Sequence, residues 1–218
     1  MLILIRHGES TGNADGLLLG RLDAPLTERG LAQARTLGPS VTGASRIISS
    51  PLARARVTAE ALGTGLPVEI DERWIEVDYG EFDGRPLGAV PAEVWARWRK
   101  DPDFRPPGGE TLAEAGTRVR SACEELFATE GEGARGPGPV VVVSHVSPIK
   151  AAACWAVGLG DEGAWRLHLA TASVTRVTWG VDGPVLSRFN ETPWSTTERQ
   201  GTGEVAPLNP GGGSRHRP

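Results

Sequence analysis

The stretch Leu2-Ile3-Leu4-Ile5-Arg6-His7-Gly8-Glu9-Ser10-Thr11-Gly12-Asn13 decides the fold of this chain. Leu2–Ile5 is a short continuous apolar run, the mark of a strand buried on both faces, as in parallel sheets covered by helices. The run ends on Arg6 and His7, and in open α/β sheets ligands bind beyond the carboxyl ends of the strands. Two chemistries fit these letters. Gly8-Glu9-Ser10-Thr11-Gly12 satisfies G-x-S-x-G, which makes Ser10 a candidate acyl-transfer nucleophile. Arg6 beside His7 suggests instead that a histidine attacks while an arginine holds an anion.

Further elements follow from the same patterning. Arg46–Ser49, Val68–Ile70 and Val140–Val143 read as strands, and Ser173–Trp179 with Val185–Phe189 reads as a hairpin. His168, alternating with Leu167 and Leu169, reads as a structural residue of one more strand. Helices are expected from Thr27 to about Leu37 and over Leu52–Leu62, the second with Ser50 as N-cap and Pro51 at its first position. Others run from Pro91 through Val94, Trp95 and Trp98, from Thr111 to about Phe127, and from Pro148 to Val157. Packing of its helix is the expected role of Trp95 and Trp98. Residues 72–90 read as irregular, and Gly131–Pro139 as a surface loop. Strands alternating with helices predict an α/β fold with a mostly parallel sheet and an antiparallel hairpin at its edge. The domain is expected to span residues 1–194. From Ser195 to Pro218 the composition collapses to Gly, Pro, Thr and charges, which predicts a flexible tail.

Composition narrows the class. The 218 residues are 39% hydrophobic and 23% charged, ordinary for a soluble enzyme. A net charge of −4 argues against a nucleic-acid partner. Cys123 and Cys154 are too few for a disulfide framework and read as buried free thiols. No leader precedes Leu2 and no apolar run approaches membrane-spanning length, so a cytoplasmic protein with no membrane partner is expected. A homodimer is left open.

The residues just beyond each predicted strand form the candidate site. Arg6 and His7 follow the first strand; Ser49, Ser50 and, a turn later, Arg54 follow the second; His145 follows the late apolar strand. Glu76 and its acidic neighbours follow the third. Two histidines and two arginines at one sheet edge suit a phosphoryl group. Arginine presents a planar fork to phosphate oxygens. A neutral imidazole is a good nucleophile near pH 7 and forms a covalent phosphoryl intermediate. Phosphomonoester cleavage also needs a proton for the leaving alkoxide, which a carboxylic acid supplies. No metal-ligand spacing such as H-E-x-x-H is present, and no metal or cofactor is expected.

The ordered set RHGES with Asn13, DAPLTERGLAQA at 23–34, SSPLARA at 49–55, Glu76 before Tyr79-Gly80, PGGET at 107–111 and VVSH ending at His145 resembles the histidine phosphatase superfamily, the phosphoglycerate mutase-like group. The resemblance implies a three-layer α/β/α sandwich and metal-independent chemistry, with a small phosphorylated metabolite as the expected partner. It implies that His7 is transiently phosphorylated, that Arg6, Arg54 and His145 complete the phosphate pocket, and that Glu76 is the proton donor. Asp78 and Glu81 stand near Glu76 as alternatives. Ser10, Asn13 and the backbone near Gly20 match positions on the substrate side.

Two departures shape the expectation. Val146-Ser147 follows His145 where many members carry a glycine pair, which bears on contacts at the rim. The stretch VWARWRKDPDFRPPGGE is short where mutases carry a longer basic insertion, so a phosphatase is expected over a cofactor-dependent phosphoglycerate mutase. A serine hydrolase using Ser10 fits poorly, because Gly12-Asn13-Ala14-Asp15-Gly16 is weak helix material and too few strands precede it. A non-catalytic phosphate-binding module is disfavoured because the nucleophile and proton-donor positions are intact.

Overall fold

The apolar runs that end in histidine lie side by side in the middle of one sheet. The computed structural model describes residues 1–131 and 138–196. Its strands are β1 (Leu2–Arg6), β2 (Arg46–Ser49), β3 (Val68–Ile70), β4 (Val140–Ser144), β5 (Val174–Gly180) and β6 (Gly183–Glu191). They run in the order β3-β2-β4-β1-β5-β6. The first four in that order pair in parallel, whereas β5 and β6 pair antiparallel at the edge. The helices are α1 (Thr11–Ala14), α2 (Glu28–Arg35), α3 (Ala53–Ala61), α4 (Ala92–Trp98), α5 (Leu112–Gly131) and α6 (Val146–Ala156).

Side-chain alternation along the central strands sorts the core into two layers. Leu2 and Leu4, with Val140 and Val142, pack against Val119, Ala122 and Cys123 of α5 and Ile149 and Ala152 of α6. Ile3 and Ile5, with Val141 and Val143, face Ala55 and Ala59 of α3 and the Leu37–Val41 segment after α2. The result is the expected three-layer α/β/α sandwich. Cys123 and Cys154 are buried free thiols. A third cluster stands apart from the sheet, where Leu18, Phe82, Val90 and Trp98 gather with Tyr79, Trp95 and Trp165.

Close backbone packing sets the first loop. A Cβ on Gly8 would collide with the Gly30 carbonyl, and one on Gly30 with the backbone of Glu9. The turn after β1 therefore lies directly on α2, anchored where Glu9 N–H donates to Gln33 (3.0 Å) and Gly8 N–H to Thr58 (3.0 Å).

Three expected elements differ. The helix placed after Ser50-Pro51 begins at Ala53, and Ser50 does not act as its N-cap. The carboxylate of Asp23, remote in sequence, accepts the Ala53 N–H instead (2.9 Å). The helix expected to open at Pro148 begins at Val146. Proline is tolerated anywhere in a first turn, where its missing N–H has no intrahelical acceptor, so it marks the neighbourhood of the start and not the start itself. Leu167–Ala170 forms no strand, and His168 is exposed between a 3-10 turn at Asp161–Arg166 and β5. The expected loop at Gly131–Pro139 lies outside the described residues over 132–137, as does the expected tail from 197 onward. Among the described residues no helix is long and apolar enough to cross a membrane.

Candidate active site

Strand register builds the site. In the β1–β4 pair Arg6 lies opposite Ser144, and the His7 N–H donates to the Ser144 carbonyl (3.0 Å). His7 and His145 are therefore the next residues out along neighbouring strands, and their ring centroids are 5.1 Å apart. In the β2–β4 pair Ser49 lies opposite Val143, and the Ser50 N–H donates to the Val143 carbonyl (3.0 Å). That places the Ser50 hydroxyl 2.7 Å from Nε2 of His145.

The His7 ring is buried, with Nδ1 2.7 Å from the Gly8 carbonyl oxygen. A carbonyl only accepts, so Nδ1 carries the hydrogen and Nε2 keeps its lone pair. Burial holds the His7 pKa well below that of free histidine, and Arg6 and Arg54 push it the same way, against a smaller opposing effect of the Gly8 bond. Burial likewise holds His145 well below the usual value, reinforced by His7 and the two arginines. Both imidazoles are neutral at pH 7. One of them presents a free nitrogen lone pair, which is a nucleophile.

The arginines are anchored by backbone carbonyls. Arg6 donates through Nη1 to Leu169 (2.6 Å). Arg54 is fully buried, donating through Nη1 to Leu22 (2.8 Å) and through Nη2 to Gly20 (2.6 Å). Its nearest carboxylate, Asp23, is 3.9 Å away. Burial lowers the Arg6 pKa to about 10 and lowers that of Arg54, yet both remain cations at neutral pH. Nε of Arg6, Nε of Arg54 and Nδ1 of His145 are buried with no partner among the described residues. Two guanidinium cations gathered at one sheet edge make a positively charged cluster that favours an anion.

Glu76 completes the cluster, and the early start of α6 explains its position. Its Oε2 accepts from the Val146 N–H (3.1 Å), both oxygens lie 3.3 Å from the Ser147 N–H, and Oε1 accepts from the Val77 N–H (2.8 Å). Val146 and Ser147 are the first residues of the helix, whose amides lack intrahelical acceptors. Backbone ties hold the segment: Ser144 Oγ donates to the Trp74 carbonyl (2.6 Å), and Arg118 donates to the carbonyls of Arg73 (2.7 Å) and Glu76 (3.4 Å). The neighbouring acids look elsewhere. Asp78 accepts from Gly80 N–H and faces Arg21 at 3.5 Å, while Glu81 is exposed.

Ser10, Asn13 and Gly20 are engaged within the protein. Ser10 is fully buried and caps α1, donating its hydroxyl hydrogen to Asn13 Oδ1 (2.9 Å) and accepting from the Asn13 N–H (3.3 Å). An amide oxygen cannot serve as a general base, so this serine is not activated as a nucleophile. Asn13 spends its carbonyl oxygen on Ser10, leaving its NH₂ as the end it can offer. Gly20 gives its carbonyl to Arg54 and its N–H to Asp83 (2.8 Å), so it positions the arginine.

Sequence patterning places Ser50 at the sheet edge but not its contact with His145, and it gives no sign of Ser144 or Arg118, because these partners depend on strand order and on a remote helix. Among the described residues no three His, Cys, Asp or Glu side chains are grouped as metal ligands.

Comparison with known proteins gives the family. The family model of the histidine phosphatase superfamily (branch 1) matches residues 2–212. A putative phosphoserine phosphatase 2 of Hydrogenobacter thermophilus is 33% identical over 186 residues, 81% of this chain and 88% of that protein. A probable phosphoglycerate mutase GpmB of Yersinia pestis is 32% identical over 203 residues, 88% of this chain and 86% of that one. The mycobacterial glucosyl-3-phosphoglycerate phosphatase, solved as a complex with VO3, superposes with a TM-score of 0.78 at 30% identity, covering 87% of this chain and 98% of that chain.

Proposed function

The chain belongs to the histidine phosphatase superfamily, and we infer that it is a phosphomonoesterase that works on small phosphorylated metabolites through a phosphohistidine on His7. One observation carries the reading. The only proton that the His7–Gly8 bond leaves on the ring is on Nδ1, so a lone pair at Nε2 stands beside two arginine cations and a neutral His145. In the proposed cycle Nε2 attacks phosphorus in line, while Arg6 and Arg54 neutralise charge on the phosphoryl oxygens and the neutral His145 donates a hydrogen bond to one of them. Glu76 gives its proton to the leaving oxygen. A water molecule then attacks the phosphohistidine, and Glu76 takes the proton back, returning His7 and releasing phosphate. No step is assigned to a metal ion.

Glu76 has the support of its burial and its grip by the α6 amides, which Asp78 and Glu81 lack. Asn13 is proposed to touch the phosphoryl group through its NH₂, with Ser10 and Gly20 holding Asn13 and Arg54 in place. Relatives named as phosphatases of phosphoserine and of glucosyl-3-phosphoglycerate favour hydrolysis, and one named as a phosphoglycerate mutase supplies the alternative to test. The test incubates the protein with 3-phosphoglycerate and a panel of phosphomonoesters, with and without chelator. Free phosphate released equally in both conditions is expected. Conversion to 2-phosphoglycerate without phosphate release overturns the phosphatase reading, and abolition by chelator overturns the metal-free cycle.

A further inference from the structure

A cavity of ≈ 150 Å³ opens beside Glu76, and the reaction described above does not use it. Its lining includes Val146 and Ser147, the two residues whose amides hold the Glu76 carboxyl group. A leaving oxygen within reach of Glu76 therefore has this cavity directly behind it. Tyr79 closes one side, its hydroxyl 3.2 Å from Ser147 Oγ. The outer wall is aromatic: Trp95 packs on Trp98 with centroids 5.6 Å apart and meets Trp165 edge-on at 6.1 Å.

The lining carries one cation, Lys150, and one carboxylate, Asp161. Lys150, one helical turn beyond Ser147 and on the same face of α6, lines the cavity as well. Its ammonium has no hydrogen-bond or ion-pair partner among the described residues. Burial and the nearby Arg6 lower its pKa, as expected of a cation with too little compensation. The one carboxylate among the described lining residues, Asp161, is committed to Arg120 at 2.7 Å. An apolar chamber walled by aromatic rings, with a cation that pairs with no carboxylate of the lining, fits a flat apolar ligand that carries negative charge.

Resting on the reading in which Glu76 protonates the leaving oxygen, we propose that this cavity is the leaving-group pocket, and that Lys150 with Trp95 and Trp165 selects phosphomonoesters whose leaving alcohol has a flat apolar body and an anionic substituent. The phosphate end is held by the arginines and histidines, so Lys150 contributes to the choice among substrates and not to the bond-breaking step. Tryptophan faces cover the flat body, and the ammonium pairs with the anion in a site from which water is largely excluded.

The test compares kcat/KM of the full chain on four alkyl-type esters: ethyl phosphate, benzyl phosphate, meta-carboxybenzyl phosphate and meta-aminomethylbenzyl phosphate. Benzyl phosphate should exceed ethyl phosphate. The carboxybenzyl ester should exceed benzyl by about ten- to a hundredfold, the worth of a hydrogen bond to a charged group, and the aminomethyl ester should fall below it. Lys150→Met should collapse the carboxybenzyl-to-benzyl ratio toward unity, Lys150→Arg should retain most of it, and Trp165→Leu should shrink the benzyl-to-ethyl ratio. Equal turnover of the three benzyl esters, or a carboxylate preference that survives Lys150→Met, overturns the pocket assignment. Turnover of p-nitrophenyl phosphate with no turnover of any benzyl ester overturns it too, while leaving the His7 cycle standing. Failure of every ester, together with no phosphohistidine, removes the cycle itself and the pocket assignment with it.

Discussion

The imidazoles of His7 and His145 lie 5.1 Å apart with their planes tilted by 59°, each at the end of a strand registered directly against the other. Sheet geometry thus fixes their separation, and no loop has to be ordered to bring them together. The same burial that fixes them strips away solvent, which disfavours the charged form of each ring. Two histidines and two arginines share this small space because both histidines stay neutral.

That neutrality is measurable. Free histidine titrates near pH 6.5, whereas both folded-state values are displaced downward. The unfolded chain therefore takes up protons first as pH falls, so the stability from neutral burial is complete above about 6.5 and is lost below it. Stability should decline between about pH 6.5 and 5 by up to about 1.4 kcal/mol per pH unit for each histidine. Histidine ¹⁵N spectra at pH 6 should show both rings neutral, with the His7 hydrogen on Nδ1. A ring titrating at or above 6.5 in the folded protein contradicts the electrostatic account.

Glu76 gives a second prediction. Glu76→Gln keeps the size of the side chain and one of its two acceptor oxygens, and removes the transferable proton. Turnover of alkyl phosphates should fall by roughly 10²–10⁴-fold. Formation of the enzyme intermediate from p-nitrophenyl phosphate, seen as a burst of nitrophenol, should persist because that leaving group needs little protonation. Equal loss of the chemical step on both kinds of ester assigns the proton to another group.

Gly30 supplies a stability test in which two principles oppose each other. Helix propensity alone favours Ala over Gly by up to about 1 kcal/mol. A Cβ at Gly30, however, runs into the Glu9 backbone and presses on the turn that carries His7. Gly30→Ala should lower stability by about 1–3 kcal/mol, seen as a fall in Tm of several degrees. A rise in Tm means that the turn has room the close packing denies.

Much of the fold is legible in the sequence because it rests on local patterns. Leu2–Ile5 and Val140–Val143 are uninterrupted apolar runs, and they become the two central strands. Arg46–Ser49 and Val68–Ile70 stand as read. What the sequence conceals is set by partners distant along the chain. The start of α3 is capped by Asp23, and the amides at the start of α6 are taken up by Glu76. Ser50 reaches His145 only because β2 and β4 are neighbours, an ordering that no local pattern encodes. Trp95 and Trp98 read as packing residues. Trp98 is buried as expected, yet both also face the cavity beside Glu76, which depends on where Trp165 and Lys150 arrive from the far end of the chain.

The central claim is that His7 Nε2 accepts the phosphoryl group, and the most direct measurement is trapping that adduct. The protein is mixed with ³²P-labelled phosphomonoester, quenched in alkali within the first turnover, and digested for peptide mapping. The account predicts label on the peptide containing His7, stable to base, lost in acid, and absent from His7→Ala. Label on Ser10, or label on the same peptide that survives in His7→Ala, contradicts it.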